Sequence, residues 1–198
     1  MSGRSADFYF GAMSPYSWLA AERIGELLPA ARWRPVFLGG VFKASGRQSW
    51  GLTERREEEM AECERRAHAY GLGAMRWPER WPTNDLTVAR AMTFARERGL
   101  LERLALEAMR LSFREGGDLA EHAVVLEAGT RAGIDERELA GALSEERVKL
   151  ALRGATDEAV ARGVIGVPTV AVGPELFWGD DRLEQAAASA HAPPAPGS

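Results

Sequence analysis

The chain has 198 residues, 45% of them hydrophobic and 27% charged, with a formal net charge of −4. That length suits one domain, or one domain with an insertion, and the composition excludes general disorder and any basic field able to hold a phosphate backbone, so nucleic acid is not an expected partner. The single cysteine, Cys63, excludes an internal disulfide, a cysteine-based zinc site and a C-x-x-C pair, and His68, His122 and His191 fit no metal-ligand spacing.

The opening residues MSGRSADFYFGAM have neither the apolar run nor the small-residue cleavage site of a signal peptide, and no apolar stretch of about 18 residues follows them. A cytoplasmic protein without metal or membrane contacts is expected. The first element is Asp7–Phe10, an aromatic run of strand type that stops at Gly11. Ser14-Pro15 then reads as a helix start, a capping hydroxyl followed by proline in the first helical position. The helix runs through Trp18, Leu19, Ala20, Ile24 and Leu28 at 3.6-residue spacing and ends near Pro29. Trp33–Leu38 is a second strand closed by Gly39-Gly40, completing a βαβ unit.

From Thr53 to Gly163 the texture is helical. Thr53–Tyr70 is rich in Glu and Arg, and Glu54, Glu57, Glu58, Arg65 and Arg66 read as a solvated face. Trp77-Pro78 and Trp81-Pro82 interrupt as a loop, because a residue before proline is pushed out of helical geometry. Further helices are predicted at about 85–98, 100–114, 118–132, 136–142 and 144–162, punctuated by Gly99, Gly116-Gly117 and Gly133. Strand texture returns in Val167–Val172 and Leu176–Trp178, joined by Gly173-Pro174 as an antiparallel hairpin. Gly179-Asp180-Asp181 opens a last helix, with Asp181 and Glu184 spaced as a capping box. A βαβ front and a ββα back give an α/β fold, the thioredoxin architecture with a large inserted all-helical domain. The thioredoxin-like domain spans 5–52 and 163–188, the insertion 53–162, and 189–198 reads as a disordered tail.

Ser14-Pro15-Tyr16-Ser17 lies where thioredoxin-like proteins hold their C-x-x-C pair, at a helix N-terminus whose N–H groups and partial positive charge stabilise a thiolate. Serines stand at both cysteine positions, so the chain cannot supply the thiol. One brought in by a cofactor would fit the same field, and Ser14 could then donate its hydroxyl to the thiolate instead of being the nucleophile itself. A hydrogen bond to a charged group contributes about 1.5–3 kcal/mol, which takes a thiol from pKa ~8.5 to about 6.5–7.5. The alternative is that Ser14 merely caps the helix.

In Gly163–Thr169, Pro168 reads on its own as a trans, structural proline. In this architecture, though, the segment faces the N-terminus of the first helix, where the Val167 backbone could pair with an extended peptide-like ligand. In Trp178-Gly179-Asp180-Asp181-Arg182 an aspartate caps a helix, or the N–H groups take a ligand carboxylate while an aspartate takes its ammonium; a γ-glutamyl group carries both charges. Lys43 is either solvated or turned to an anionic substrate. Trp50, Trp77, Trp81 and Asn84 could form an aromatic wall with one amide, though tryptophans are core residues by default, and Cys63 reads as apolar filler.

The motifs FYFGAMSPYSWLA, LGGVFKASG, GVIGVPTVAVG and ELFWGDDRLE together resemble 2-hydroxychromene-2-carboxylate isomerases and the kappa-class glutathione transferases, within the DsbA-like thioredoxin superfamily. The resemblance runs from Asp7 to about Ala187. It implies glutathione as cofactor, with Ser14 activating its sulfur, Val167 before a cis Pro168 pairing with the cysteinyl backbone, and Asp180 and Asp181 holding the γ-glutamyl end. Pro15, Tyr16 and Gly179 complete that cofactor site, and Lys43, Trp50 and Asn84 lie on the substrate side. The implied reaction is isomerisation of a small aromatic carboxylate in hydrocarbon breakdown: thiolate addition to a conjugated carbon, bond rotation and elimination, in a homodimer. Two departures stand out. Gly11 replaces an aspartate frequent after the aromatic strand, and Ser45-Gly46-Arg47 replaces Ser-Gly-Asn, which leaves Arg47 for a different anion. A kappa-like transferase or peroxidase, and a binding member of the superfamily without redox cysteines, are the alternatives.

Overall fold

In the computed structural model, which describes residues 4–192, Ala6–Phe10 forms β1, buried along its whole length. Both faces of β1 are covered, which is why its sequence is a continuous apolar run around Asp7 rather than an alternation. It lies between β2, Arg32–Pro35, paired in parallel, and β3, Thr169–Val172, paired antiparallel; β4, Glu175–Trp178, closes the other edge antiparallel to β3, giving the order β2-β1-β3-β4. The parallel pair needs a crossover, supplied by α1, Pro15–Leu27. Phe8 and Phe10 share one face with ring centroids 5.2 Å apart, and Trp33 sits edge-on to both.

The helical stretch comprises α2, Leu38–Ser45, a 3-10 turn at Trp50–Leu52, then α3, Arg56–Ala69, α4, Leu86–Glu97, α5, Leu101–Glu115, α6, His122–Ala132, α7, Glu136–Ala142, and α8, Glu146–Ala161. After β4 comes a 3-10 turn at Asp180–Arg182 and α9, Leu183–His191. The core is continuous from the sheet into these helices: Trp18 of α1 stacks on Phe113 of α5 at 5.9 Å, both fully buried. Asp7 adds a polar tie. Its carboxylate accepts from Arg32 and Arg34 at 2.9 Å each and from Arg162, just past α8, at 2.7 Å.

The structure corrects four expectations. The second strand stops at Pro35, and Leu38, Gly39 and Gly40, read as its last residue and closing glycines, open α2. Its first turn is held from afar: the Asp85 carboxylate accepts from Leu38 N at 3.3 Å and the Thr156 hydroxyl from Phe37 N at 3.0 Å. α3 starts at Arg56 rather than Thr53, because Thr53 Oγ1 is engaged with Trp50 O at 2.7 Å and Arg55 N at 3.3 Å. The Asp181–Glu184 capping box does not form, since Asp180–Arg182 is a 3-10 turn and the Glu184 carboxylate is paired with Arg23. α9 continues to His191, into the stretch read as a tail, with Arg4 N donating to Ala190 O at 2.9 Å; the expected disorder of 193–198 falls outside the described residues.

Candidate active site

β1 ends against a tight turn in which Ser14 N donates to Gly11 O at 3.0 Å. Ser14 is the N-cap of α1, with φ −86° and ψ 118°, and its Oγ accepts from Ser17 N at 3.2 Å while Pro15 opens the helix. The capping role is therefore real. It uses only the acceptor side of the hydroxyl, however, and the Ser14 proton points to Val167 O at a long 3.4 Å. The Val167-Pro168 bond is cis, not the trans form read from the proline alone, and Trp81-Pro82 is cis as well.

A cavity of about 320 Å³ opens at this helix N-terminus. Ser14, Pro15 and Tyr16 form one wall, Gly166, Val167 and Pro168 face them, and Leu38 and Phe42 of α2 contribute apolar surface. Trp178 lies over Gly166 so closely that a Cβ there would stand 2.8 Å from the indole nitrogen. Trp50 and Trp81 complete the apolar lining; their centroids are 4.7 Å apart, and Trp81 Nε1 donates to Met13 O at 3.0 Å, fixing the Trp-Pro loop to the turn before α1.

Charges are ordered along the rim. Arg66 of α3 donates to Asp180 Oδ1 at 2.7 Å and to Glu62 at 2.7 Å, and Tyr70 O–H donates to Asp180 Oδ2 at 3.0 Å. Asp180 is wholly buried, and its desolvation holds its pKa above the ordinary aspartate value despite Arg66. Asp181 lies 3.9 Å from Arg66 with its side chain 54% exposed. Burial and a hydrogen bond to Glu59 push the Tyr16 phenol far up, so it stays protonated and donates. The Arg47 guanidinium lies 4.7 Å over the Trp178 ring and forms no ion pair among the described residues.

A family model described as the DSBA-like thioredoxin domain matches residues 6–189. The chain belongs to this DSBA-like thioredoxin family. It is 26% identical over 190 residues to a 2-hydroxychromene-2-carboxylate isomerase of Sphingobium xenophagum, covering 91% of this chain and 95% of that protein. It is 24% identical over 200 residues to glutathione S-transferase kappa 1 of Rattus norvegicus, covering 91% and 88% respectively. A solved structure of 2-hydroxychromene-2-carboxylate isomerase superposes with a TM-score of 0.82 at 21% identity, covering 93% of each chain.

In this DSBA-like chain the expected residues Ser14, Pro15, Tyr16, Trp50, Val167, Pro168, Gly179, Asp180 and Asp181 line one cavity. Lys43 and Asn84 are not part of its wall. Lys43 is exposed on α2, and Asn84 Oδ1 accepts from Leu86 N at 2.8 Å at the start of α4. Of the two aspartates, Asp180 has both oxygens engaged by protein donors, so Asp181 is the one exposed to a ligand. Arg55, the N-cap of α3, and Glu59 and Arg66 on the helix line the cavity wall, and of these only Arg66 is among the charges read as a solvated face. With Glu62 these recur at helical i, i+3 and i, i+4 spacing, the pattern that could have revealed one face.

Two buried groups sit behind the site. Cys63 is fully buried, and burial raises its thiol to about 12, so it contributes no thiolate. Asp85, 2% exposed, has its pKa raised to about 7 by burial; a Cβ on Gly11 would lie 3.6 Å from its Oδ2. Sequence reasoning passed over Asp85 because its partner, Leu38 N, is remote in the chain.

Proposed function

We propose that the chain binds glutathione at the N-terminus of α1 and isomerises a small conjugated aromatic carboxylate. The observation that carries this reading is the Ser14 hydroxyl, capping α1 with its lone pairs and spending its proton on one long bond to Val167 O, inside a cavity of about 320 Å³. That volume falls at the small end of ligand pockets, about 300–1,000 Å³. When bound, glutathione supplies a nucleophilic sulfur whose addition and elimination free a double bond to rotate.

The protein's own groups do the rest. Ser14 turns its O–H from the Val167 carbonyl to the sulfur and, with the α1 N-terminus, favours the thiolate. Val167, ahead of the cis proline, offers main-chain polar groups to the peptide part of the ligand. Asp181 takes the ammonium, while Asp180, held by Arg66 and Tyr70, positions the turn. Arg47 and Trp178, rather than Lys43, receive the substrate: the guanidinium takes its carboxylate and the indole its ring. Trp50, Trp81, Leu38 and Phe42 exclude water from the reacting carbon. A homodimer, as the resemblance implies, belongs to the same reading and is checked by light scattering.

The test is turnover of the hydroxychromene carboxylate with and without glutathione. Isomerisation that needs the thiol supports the reading; glutathione-independent turnover, or none, counts against it. A second reading, a kappa-like transferase, is favoured by the absence of Lys43 and Asn84 from the cavity wall. Conjugation of a chlorodinitrobenzene-type electrophile without isomerase activity would select it.

A further inference from the structure

A second cavity, of about 160 Å³, lies between α2, α4 and α8. α2 separates it from the candidate active site: Leu38 and Phe42 line the first cavity and Gly40 the second. The helices meet closely here, since a Cβ on Gly40 would stand 3.0 Å from the Thr156 methyl group. Phe37, Leu86 and Leu152 make the lining apolar, while three cations, Arg90, Lys149 and Arg153, face a single carboxylate, Asp157.

Those cations are poorly satisfied within the protein. Arg153 and Asp157 are 3.8 Å apart with side chains 80% and 74% exposed, a geometry that contributes little. Lys149 reaches only the exposed Glu146, at 3.4 Å. Arg90 forms no ion pair among the described residues: its Nη1 donates to Leu143 O at 3.4 Å, and its Nε is buried with no acceptor. Buried donors without partners are rare in native proteins, and the unpaired Nε marks a guanidinium that the protein itself satisfies poorly beside this cavity.

We propose that this cavity is a binding site for a small organic carboxylate with a flat apolar body. The carboxylate pairs with the Arg90 guanidinium, which has no ion pair of its own among the described residues, Lys149 adds a second charge, and the body covers Phe37, Leu86 and Leu152. Inorganic phosphate satisfies the cations but leaves that apolar surface bare. The space equals about five waters at about 30 Å³ each, which limits the ligand to roughly a single ring. This proposal is independent of the glutathione reading.

Titration of the ¹⁵N-labelled protein with benzoate tests it, with benzamide and inorganic phosphate as controls. The expected result is saturable shifts at the Gly40, Lys149 and Thr156 amides with benzoate and much weaker binding of either control. Arg90→Gln should weaken benzoate binding about tenfold or more, whereas Ser14→Ala should leave it unchanged. Shifts confined to the first cavity, benzamide or phosphate binding as well as benzoate, or an unaltered affinity in Arg90→Gln would overturn the site. Should Arg90→Gln not fold, Lys149→Gln serves instead: a weakening of about threefold or more sustains the site, and unchanged affinity refutes it.

Discussion

The Ser14 hydroxyl donates to the Val167 carbonyl across 3.4 Å, joining segments 153 residues apart. One segment is the cap of α1 and the other precedes a cis proline. A bond this long is weak, so a better acceptor placed between the two segments redirects the proton at little cost. That relationship is the physical basis for reading Ser14 as a thiolate donor as well as a cap.

Replacing Ser14 by alanine removes both roles. Loss of the cap should lower stability by about 1 kcal/mol, read from chemical denaturation. Loss of the donor should raise the pKa of bound glutathione by about 1–2 units and cut turnover at neutral pH about tenfold or more. A stability change with unaltered turnover would leave Ser14 as a cap alone.

Arg47→Gln should raise KM for an anionic substrate about tenfold while leaving glutathione affinity within about twofold, because the guanidinium on Trp178 is assigned to the substrate alone. Lys43→Gln should leave both constants nearly unchanged, since Lys43 is exposed and outside the cavity wall. Steady-state kinetics on the two variants separates Arg47 from the lysine that the family resemblance implies.

Asp85 makes stability depend on pH with a definite sign. Its pKa is raised to about 7 in the folded protein, against about 3.9 unfolded. The folded state therefore holds more protons between those values, and this group's contribution falls as pH rises from about 4 to about 7. Asp85→Asn, which keeps an acceptor for Leu38 N, should flatten that fall and be the more stable protein at about pH 8. Urea denaturation of both proteins at about pH 5 and 8 is the check.

Asp7 acts in the opposite sense. Burial alone would raise its pKa, but hydrogen bonds from Arg34, Arg32 and Arg162 hold it below the ordinary value. Its contribution is present above pH ~3.9 and is lost as pH falls through the lower, folded pKa. Asp7→Ala should cost about 1–3 kcal/mol near neutrality, because it removes the one buried acceptor shared by three partly exposed arginines where α8 meets the sheet. Thermal denaturation of this variant beside Arg32→Ala, whose side chain is 55% exposed and whose loss should matter much less, gives the comparison.

Most of the scaffold was legible because its signals are local. The aromatic run of β1, the Ser14-Pro15 start of α1 and the glycine-marked hairpin each state their element within a few residues. α2 was not legible, because its first turn is held by Asp85 and Thr156, which lie 47 and 119 residues away from the amides they accept from. The capping box failed for a similar reason, with Glu184 taken by Arg23 of α1. Within the site, motif residues at chain turns reached the cavity. Lys43 did not, because turning the end of the strand into helix moved it off that wall, and the charges of α3 were hidden by their likeness to any solvated face.

The most direct measurement is an ultraviolet titration of glutathione bound to the protein and to its Ser14→Ala variant. The account predicts a thiolate band already developed at neutral pH in the native protein, shifted by about 1–2 pH units upward in the variant. A bound thiol that ionises no more readily than in water, or identically in the two proteins, would contradict it.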